Sequence, residues 1–141
     1  MEVREAFTDE EVSAALALRS RVVCDEQGVS FEADQDGRDP EATHIVAIDA
    51  DAVIGTCRLL FRGPVARLGR LAVERERRGD GVAAAILREA DRVAVGAGSG
   101  SIALHAQTYA LALYEAAGYS RYGPTFVEEG IEHVAMEKRL A

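Results

Sequence analysis

The feature that most constrains the fold is a glycine-rich turn, Arg78-Gly79-Asp80-Gly81-Val82-Ala83, between an apolar strand and a helix. The strand is predicted over Val65–Val73, and the helix runs from Gly79 to about Val95 with apolar residues at helical spacing. A second short apolar strand, Ile102–Ala106, follows the helix. A strand, a helix and a second strand in this order form a β-α-β unit with two parallel strands. The chain is therefore predicted to be an α/β protein.

The remaining elements predict a mixed α/β sheet in the order β-α-β-β-β-α-β-α-β-β. Thr8, with Glu11 three residues later, is typical of a capping box at the start of a helix. Acidic and turn residues fill the segment 28–43, which is predicted to be a long loop. The length of 141 residues fits a single domain, 1–141. The other predicted elements are a strand at Val3–Phe7, a helix at Asp9–Val23, a hairpin of His44–Asp49 and Val53–Phe61, a helix at Tyr109–Ala117, and strands at Tyr119–Tyr122 and His133–Leu140.

The strand 65–73 has an irregular hydrophobic pattern. The step from Leu68 to Leu71 is odd, whereas the step from Leu71 to Val73 is even. One extra residue near Gly69 or Arg70 would return the apolar side chains to one face of the sheet. We therefore predict a β-bulge at this position.

Charge and composition limit the possible partners. The 24 acidic and 16 basic residues give a net charge of -8, which argues against binding to a nucleic acid backbone. No run reaches the roughly 18–20 apolar residues of a membrane span, and the N-terminus lacks the pattern of a signal peptide. We therefore expect a cytoplasmic protein without membrane contact. Cys24 and Cys57 lack the spacing of a zinc site or redox pair, so reduced, partly buried thiols are expected and no metal.

The glycine-rich turn suits a phosphorylated ligand. Glycines let the backbone approach a ligand closely, and the N–H groups in the first turn of a helix attract a pyrophosphate. The turn lacks the Gly-Lys-Ser/Thr end of a Walker loop and the three spaced glycines of a dinucleotide fingerprint. A tight strand-to-helix connection without a ligand is the alternative that these six residues alone leave open.

Arg78-x-x-Gly81-x-Ala83 resembles the Q/R-x-x-G-x-G/A signature of the GNAT superfamily of N-acetyltransferases. The segment 71–73, Leu-Ala-Val, resembles the family's bulged fourth strand, and the segment 112–119 resembles its A-x-x-Y-E-x-x-G-F helix end. Segments 25–28, 104–107 and 129–133 resemble the ElaA-like branch, and the last also resembles the C-terminal strand of glyphosate N-acetyltransferase. The resemblance implies a GNAT-type fold, with a mostly antiparallel central sheet, one splayed parallel strand pair and flanking helices.

The resemblance also implies a reaction: transfer of an acetyl group from acetyl-CoA directly to an amine, here of a small molecule. Tyr114 matches the family's general acid, and His133 matches the base proposed for glyphosate N-acetyltransferase. A phenol stays protonated at neutral pH and imidazole accepts protons there, so both side chains suit these roles. A core aromatic and a solvent-facing histidine are the alternatives. The residues implied to bind acetyl-CoA are Leu71, Ala72, Val73, Arg78, Gly79, Asp80, Gly81, Val82, Ala83 and Gln107.

Candidate acceptor-binding residues are Glu26, Arg58 and Arg70. The two arginines lie on neighbouring predicted strands and could hold a carboxylate or phosphate of the acceptor, or could pair with nearby acids. Glu26 lies in an acidic region that flanks the acceptor pocket in the family and could favour a cationic acceptor. Gln107 stands where much of the superfamily has asparagine. His105 is expected in the sheet interior or at the strand splay and has no assigned catalytic role.

Two other functions stay open at this stage. A non-catalytic acyl-CoA-binding sensor would need the phosphate-binding turn but neither acid nor base. A nucleotide-binding or partner-binding α/β domain with a chance glycine turn would bind ATP or NAD in preference to coenzyme A. A homodimer is a common state for such domains, and the sequence does not define the acceptor.

Overall fold

The computed structural model describes residues 1–140 and contains one seven-stranded sheet with helices on both faces. The helices are α1 (Asp9–Ser20), α2 (Phe31–Asp34), α3 (Val82–Gly96) and α4 (Leu111–Ala116). The strands are β1 (Glu2–Glu5), β2 (Thr43–Asp49), β3 (Ala52–Arg62), β4 (Val65–Val73), β5 (Ser101–Gln107), β6 (Ser120–Glu128) and β7 (Ile131–Arg139). The predicted mixed α/β fold is confirmed.

The sheet is antiparallel except at its centre. Its strand order is β1-β2-β3-β4-β5-β7-β6, and the one parallel pair is β4 with β5. These two strands pair only where Val65–Arg67 lie beside Ser101–Ala103, and beyond these residues they separate. The separation opens a crevice between the carboxyl ends of both strands. The expected splayed parallel pair is therefore present at the centre of the sheet.

The predicted β-bulge lies in β4. Thr56 of β3 pairs with Ala72, and Arg58 pairs with Gly69, so two residues of β4 face the single β3 residue between them. One of the two is Arg70, whose φ of 55° lies in the left-handed region that most side chains disfavour. A bulge bends a strand, and this bulge lies beyond Arg67, where β4 no longer pairs with β5.

Helix α1 begins with the predicted capping box. Thr8 Oγ1 accepts the N–H of Glu11 at 3.1 Å, and the Glu11 carboxylate accepts the N–H of Thr8 at 3.4 Å. Arg4 of β1 donates two hydrogen bonds to the same carboxylate, and these bonds lower the pKa of Glu11 to about 2. The cap therefore also fixes the first strand against the first helix.

Two predicted boundaries before β2 are wrong. Regular helix ends at Ser20 rather than Val23, and Arg21–Glu26 continue as wider π-helical turns, which frequently occur at functional sites. The predicted loop 28–43 contains α2, because Ser30 caps it by accepting the N–H of Ala33 at 3.1 Å. Local side-chain hydrogen bonds thus give structure to a segment without hydrophobic periodicity.

The C-terminal hairpin is longer than predicted. β6 extends to Glu128 rather than Tyr122, because its pairing with β7 resumes at Phe126 after an irregularity in register. The connecting residues Glu129 and Gly130 both have positive φ, as tight hairpin turns require. Elsewhere the differences are small: β1 ends at Glu5, and α4 follows a 3₁₀ turn at Thr108–Ala110.

The main apolar core lies between the sheet and α3. A smaller cluster on the opposite face joins α1 and the turn after it to β4 through Leu18, Val22 and Ala72. Burial of each aliphatic side chain contributes about 1.5–3 kcal/mol, so both faces of β4 are held in place. The buried side chains of α3 are Val82, Ile86, Leu87, Ala90 and Ala94.

Candidate active site

The glycine-rich turn forms the N-terminus of α3. The helix begins at Val82 rather than at the predicted Gly79, because Gly79 and Gly81 have left-handed φ angles of 90° and 83°. A Cβ added to either glycine would meet no atom within 4 Å, so the backbone conformation, and not packing, favours glycine here. The first helical bond runs from Ala85 N–H to Gly81 O at 3.1 Å. The N–H groups of residues 82–84 therefore lack helical acceptors and can bind an anion.

A crevice of about 910 Å³ runs along the splayed strands. Its size lies within the range of about 300–1,000 Å³ that is usual for small-molecule sites. The bulged part of β4 forms one wall, and Gln107 and Tyr114 contribute to the other. β4 has no partner strand on this side beyond Arg67. Backbone N–H and C=O groups of its bulged part are thus open to an extended ligand.

The predicted cofactor residues fall into two groups. Gly79, Asp80 and Gly81 are exposed beyond the crevice, and the side chain of Val82 is buried in the core, so Val82 can offer only its backbone. The members that line the crevice are Leu71, Ala72, Val73, Arg78, Ala83 and Gln107. Arg78 Nε donates to Val73 O at 3.1 Å, and this bond ties the turn to the end of β4.

Gln107, at the end of β5, has a buried oxygen without a partner. Its Nε2 donates to Gln27 Oε1 at 3.1 Å, whereas its own Oε1 accepts no hydrogen bond from residues 1–140. Leaving such an acceptor unsatisfied costs about 1–3 kcal/mol. Because this oxygen is buried, a ligand N–H group could meet it only if the Gln107 amide turned toward the crevice that it lines.

Tyr114, on α4, is both packed in the core and part of the crevice wall. Its side chain is 8% exposed, and its ring packs edge-on against Tyr119 with 6.0 Å between centroids. Burial raises the pKa of Tyr114 well above the usual value of a phenol. The hydroxyl consequently stays protonated at neutral pH and can donate into the crevice.

His133, on β7, also lines the crevice, and it is buried rather than solvent-facing, so that alternative is wrong. Its Nδ1 lies 2.7 Å from the carbonyl oxygen of Ile131. Because a carbonyl oxygen only accepts, Nδ1 is the donor, and in the neutral form of the ring Nε2 keeps its lone pair. The ring also stacks on Phe126 at 6.0 Å, which fixes its orientation.

An ionic cluster, termed here the Arg-Asp cluster, borders the crevice. It links α1, α2, β3 and β4, and most of its charged groups are shielded from solvent. Hydrogen bonds from Arg58 hold the pKa of Asp36 far below its usual value, and those from Arg19 lower that of Asp39. Its members are Arg19, Arg58, Arg70, Asp34, Asp36 and Asp39.

All three predicted acceptor-binding side chains already have partners. Arg58 donates to two aspartates of the cluster and is only 4% exposed. Arg70 donates to Asp34 at 3.2 Å, so pairing with local acids, the alternative left open by the sequence, is what the structure shows. Glu26 pairs with Arg78 at 2.8 Å, and this arginine lowers the pKa of Glu26. Its carboxylate thus lies at the glycine-rich turn.

Sequence reasoning missed a row of side chains across β4, β5 and β6. His105 Nδ1 donates to Glu128 at 3.1 Å, and Arg67 donates to His105 Nε2 at 3.4 Å. The Phe126 ring lies edge-on to His105 at 5.0 Å and stacks on His133. The alternation of His105 and Gln107 on β5 was the available signal. This signal alone did not predict the row, because residues 123–128 of β6, which contribute Phe126 and Glu128, were not predicted as a strand.

Two further properties concern metal and membrane. Within residues 1–140, no three His, Cys, Asp or Glu side chains are grouped so as to hold a metal ion. No helix in the same part of the chain has the length and apolar character needed to cross a bilayer.

Cys24 is half-buried, and Cys57 is fully rather than partly buried; both are free thiols.

The splayed parallel pair, the bulged strand and the left-handed glycine turn together define a GNAT-type acyltransferase fold. The structure is similar to a predicted N-acetyltransferase of Lactobacillus plantarum, with a TM-score of 0.91 and 28% identity over 99% of this chain and 98% of that one. It is also similar to ElaA of Escherichia coli, with a TM-score of 0.89 and 22% identity over 99% of this chain and all of the other. The resemblance to ElaA thus extends to the fold.

Sequence comparison leads to the family itself. A predicted acetyltransferase of Bacillus subtilis is 30% identical over 99% of this chain and 97% of its own length. The family model described as an acetyltransferase (GNAT) domain matches residues 3–140. The chain therefore belongs to the GNAT family of N-acetyltransferases.

Proposed function

We propose that the protein transfers an acetyl group from acetyl-CoA directly to the amine of a small molecule. The observation that carries the proposal is one crevice that contains the open edge of a bulged strand and a buried tyrosine and ends at a helix N-terminus whose first N–H groups lack helical acceptors. Membership of the GNAT family supports the same reaction.

The groups in the crevice fit acetyl-CoA. The N–H groups of residues 82–84, with Arg78 beside them, suit the pyrophosphate. The open backbone edge of residues 71–73 suits the extended pantetheine arm, and the Gln107 amide, which lines the crevice, could turn its unpartnered Oε1 toward an amide N–H group of that arm. When bound, acetyl-CoA would supply an activated thioester to the amine.

Two side chains would handle the protons. An amine attacks only as a free base, so His133 Nε2, whose lone pair is free, would take the proton of the ammonium group. Tyr114, which stays protonated, would donate its proton to the sulfur as the thiolate departs. Backbone N–H groups of the bulged strand would stabilise the negative charge that develops on the carbonyl oxygen.

The first experiment is isothermal titration of the purified protein with acetyl-CoA, followed by a thiol-release assay over a panel of small amines. Binding together with release for at least one amine would support the proposal. Binding without release for any amine would favour the non-catalytic acyl-CoA sensor. Absence of binding would rule out acetyl-CoA as the co-substrate.

A further inference from the structure

Arg67 differs from the other arginines that line the crevice. Four of these arginines have a carboxylate oxygen within 4.0 Å of a guanidinium nitrogen. Arg67 has no such partner among residues 1–140, and its side chain makes one hydrogen bond, to Nε2 of His105 at 3.4 Å. The arginines that line the crevice are Arg58, Arg67, Arg70, Arg75 and Arg78.

The guanidinium group of Arg67 has capacity to bind an anion. Arginine carries five N–H donors in a planar fork that matches two oxygens of a carboxylate or phosphate. One long hydrogen bond to His105 uses only one of these donors. Since His105 is held through its other nitrogen by Glu128, it does not need Arg67 to keep its place.

The position of Arg67 separates it from the pyrophosphate site. It lies in the last parallel pair of β4, opposite Ala103, where the crevice begins. Arg67 pairs with Leu60 and Val73 with Gly55, five positions apart on β3, so at about 3.3 Å per residue Arg67 and Val73 lie about 17 Å apart along the sheet. A pyrophosphate held at the N-terminus of α3 therefore does not reach Arg67.

A row of side chains connects Arg67 to the proposed base. His105, which contacts Arg67, lies edge-on to Phe126, and Phe126 stacks on His133. On β5, His105 and Gln107 share one face, and Gln107 is paired with His133 of β7. Arg67 and His133 thus lie at two ends of one row of side chains on the same face of the sheet.

We propose that Arg67 binds an oxyanion of the acceptor, so that the acceptor is a small amine that also carries a carboxylate or a phosphate. This inference rests on the proposed acetyl transfer. The sequence assigned the anion-binding role to Arg58 and Arg70, but both donate to aspartates. The inference assigns this role to Arg67, which donates to no carboxylate among residues 1–140.

The test uses pairs of amines that differ by one oxyanion: phenylalanine with 2-phenylethylamine, and O-phosphoethanolamine with ethanolamine. Thiol release from acetyl-CoA is measured for the wild type, Arg67→Gln and Arg67→Lys. Arg92→Gln is the matched control, because Arg92 is exposed on α3 and pairs with Glu89 outside the crevice. Titration with acetyl-CoA is run on every variant.

The wild type should prefer the amine with an oxyanion in at least one pair. Loss of a charge-assisted hydrogen bond typically changes binding by roughly tenfold to a hundredfold, so Arg67→Gln should lower kcat/KM for that amine by this factor, mainly through KM. The partner amine and the Kd of acetyl-CoA should change by less than about twofold, as should all values for Arg92→Gln. Arg67→Lys, which keeps the charge but loses the fork, should lie between. The pair that responds identifies carboxylate or phosphate.

Two results would overturn the inference while leaving acetyl transfer intact. One is a wild type that turns over amines but prefers the member without the oxyanion in both pairs. The other is an Arg67→Gln variant that lowers both members of a pair equally. A different result would overturn the proposed function and this inference with it. In that result the protein binds acetyl-CoA but releases no thiol with any of the four amines or with any member of a wider amine panel.

Discussion

Tyr114 belongs both to the apolar core and to the crevice, and substitution can separate the two roles. Tyr114→Phe keeps the ring and its packing but removes the donor. If the phenol protonates the leaving thiolate, kcat should fall by about 10²–10⁴-fold, the usual contribution of a general acid, while the Kd of acetyl-CoA stays unchanged. Steady-state kinetics and titration measure both values. Tyr122→Phe, on the exposed face of β6, is the control, and undiminished kcat in Tyr114→Phe would contradict the assignment.

The two cysteines should differ sharply in reactivity. Burial raises the pKa of Cys57 to about 12, so almost no thiolate forms at pH 8, whereas Cys24 is half-buried and reachable. One equivalent of a disulfide reagent should therefore react with the folded protein, and the second only in denaturant. Cys24→Ala should remove the fast phase. A fast reaction of two thiols in the native protein would show that the core around Cys57 opens readily.

At the scale of an element, the turn before α3 can be tested with a matched pair of glycines. Gly81 and Gly98 have φ angles of 83° and 86°, and a Cβ at either would meet no atom within 4 Å. A left-handed alanine costs about 1–2 kcal/mol, so Gly81→Ala and Gly98→Ala should lower the melting temperature similarly. Only Gly81→Ala should weaken acetyl-CoA binding, because Gly98 lies past the C-terminus of the helix. Equal affinities in the two variants would place the pyrophosphate elsewhere.

The same scale shows what local sequence determines. The capping box at Thr8, the bulge in β4 and the helix α3 could be predicted because each depends on residues close together in the chain. The extent of β6 could not, since it is set by pairing with β7, and its residues are mostly exposed without an alternating pattern. The π-helical turns after α1 likewise lack a hydrophobic signal.

At the scale of the whole molecule, the Arg-Asp cluster makes stability depend on pH. Asp36 and Asp39 have lowered pKa values in the folded chain, so the unfolded chain binds more protons as the pH falls. The stabilisation is complete above the unfolded value of 3.8 and is lost as the pH falls through the lowered folded values. Urea unfolding should show a decreasing free energy of unfolding below about pH 5.

Asp36→Asn tests the origin of this slope. The variant should be less stable at neutral pH, because Arg58 loses a charged partner, and its stability should depend less on pH. Asp51→Asn, which changes an exposed carboxylate in the β2–β3 turn, is the control and should keep the slope of the wild type. Identical slopes in the wild type and Asp36→Asn would exclude the cluster as the cause.

The candidate site was predictable only in part. Tyr114, His133 and the glycine-rich turn could be named as candidates because each follows a local motif or a resemblance carried by neighbouring residues, and their roles stay predictions. Pairing of Arg58 with acids was one of the two alternatives from the sequence. Its partners Asp36 and Asp39 could not be identified, because they lie some twenty residues away in a segment without a hydrophobic pattern. Arg67 differs from Arg58 and Arg70 only through the folded positions of the acidic side chains, which the sequence around it does not indicate.

The short pairing of β4 with β5 also affects the flexibility of the sheet. Strands β1–β4 and strands β5, β7 and β6 form two parts of the sheet, and these parts pair only at Val65–Arg67 and Ser101–Ala103. The core under α3 and a few hydrogen bonds, such as those from Gly100 to Pro64 and from Arg67 to His105, also connect them. A ligand that binds in the crevice and contacts both parts of the sheet would hold them together. The protein with a bound ligand would therefore be more rigid than the free protein.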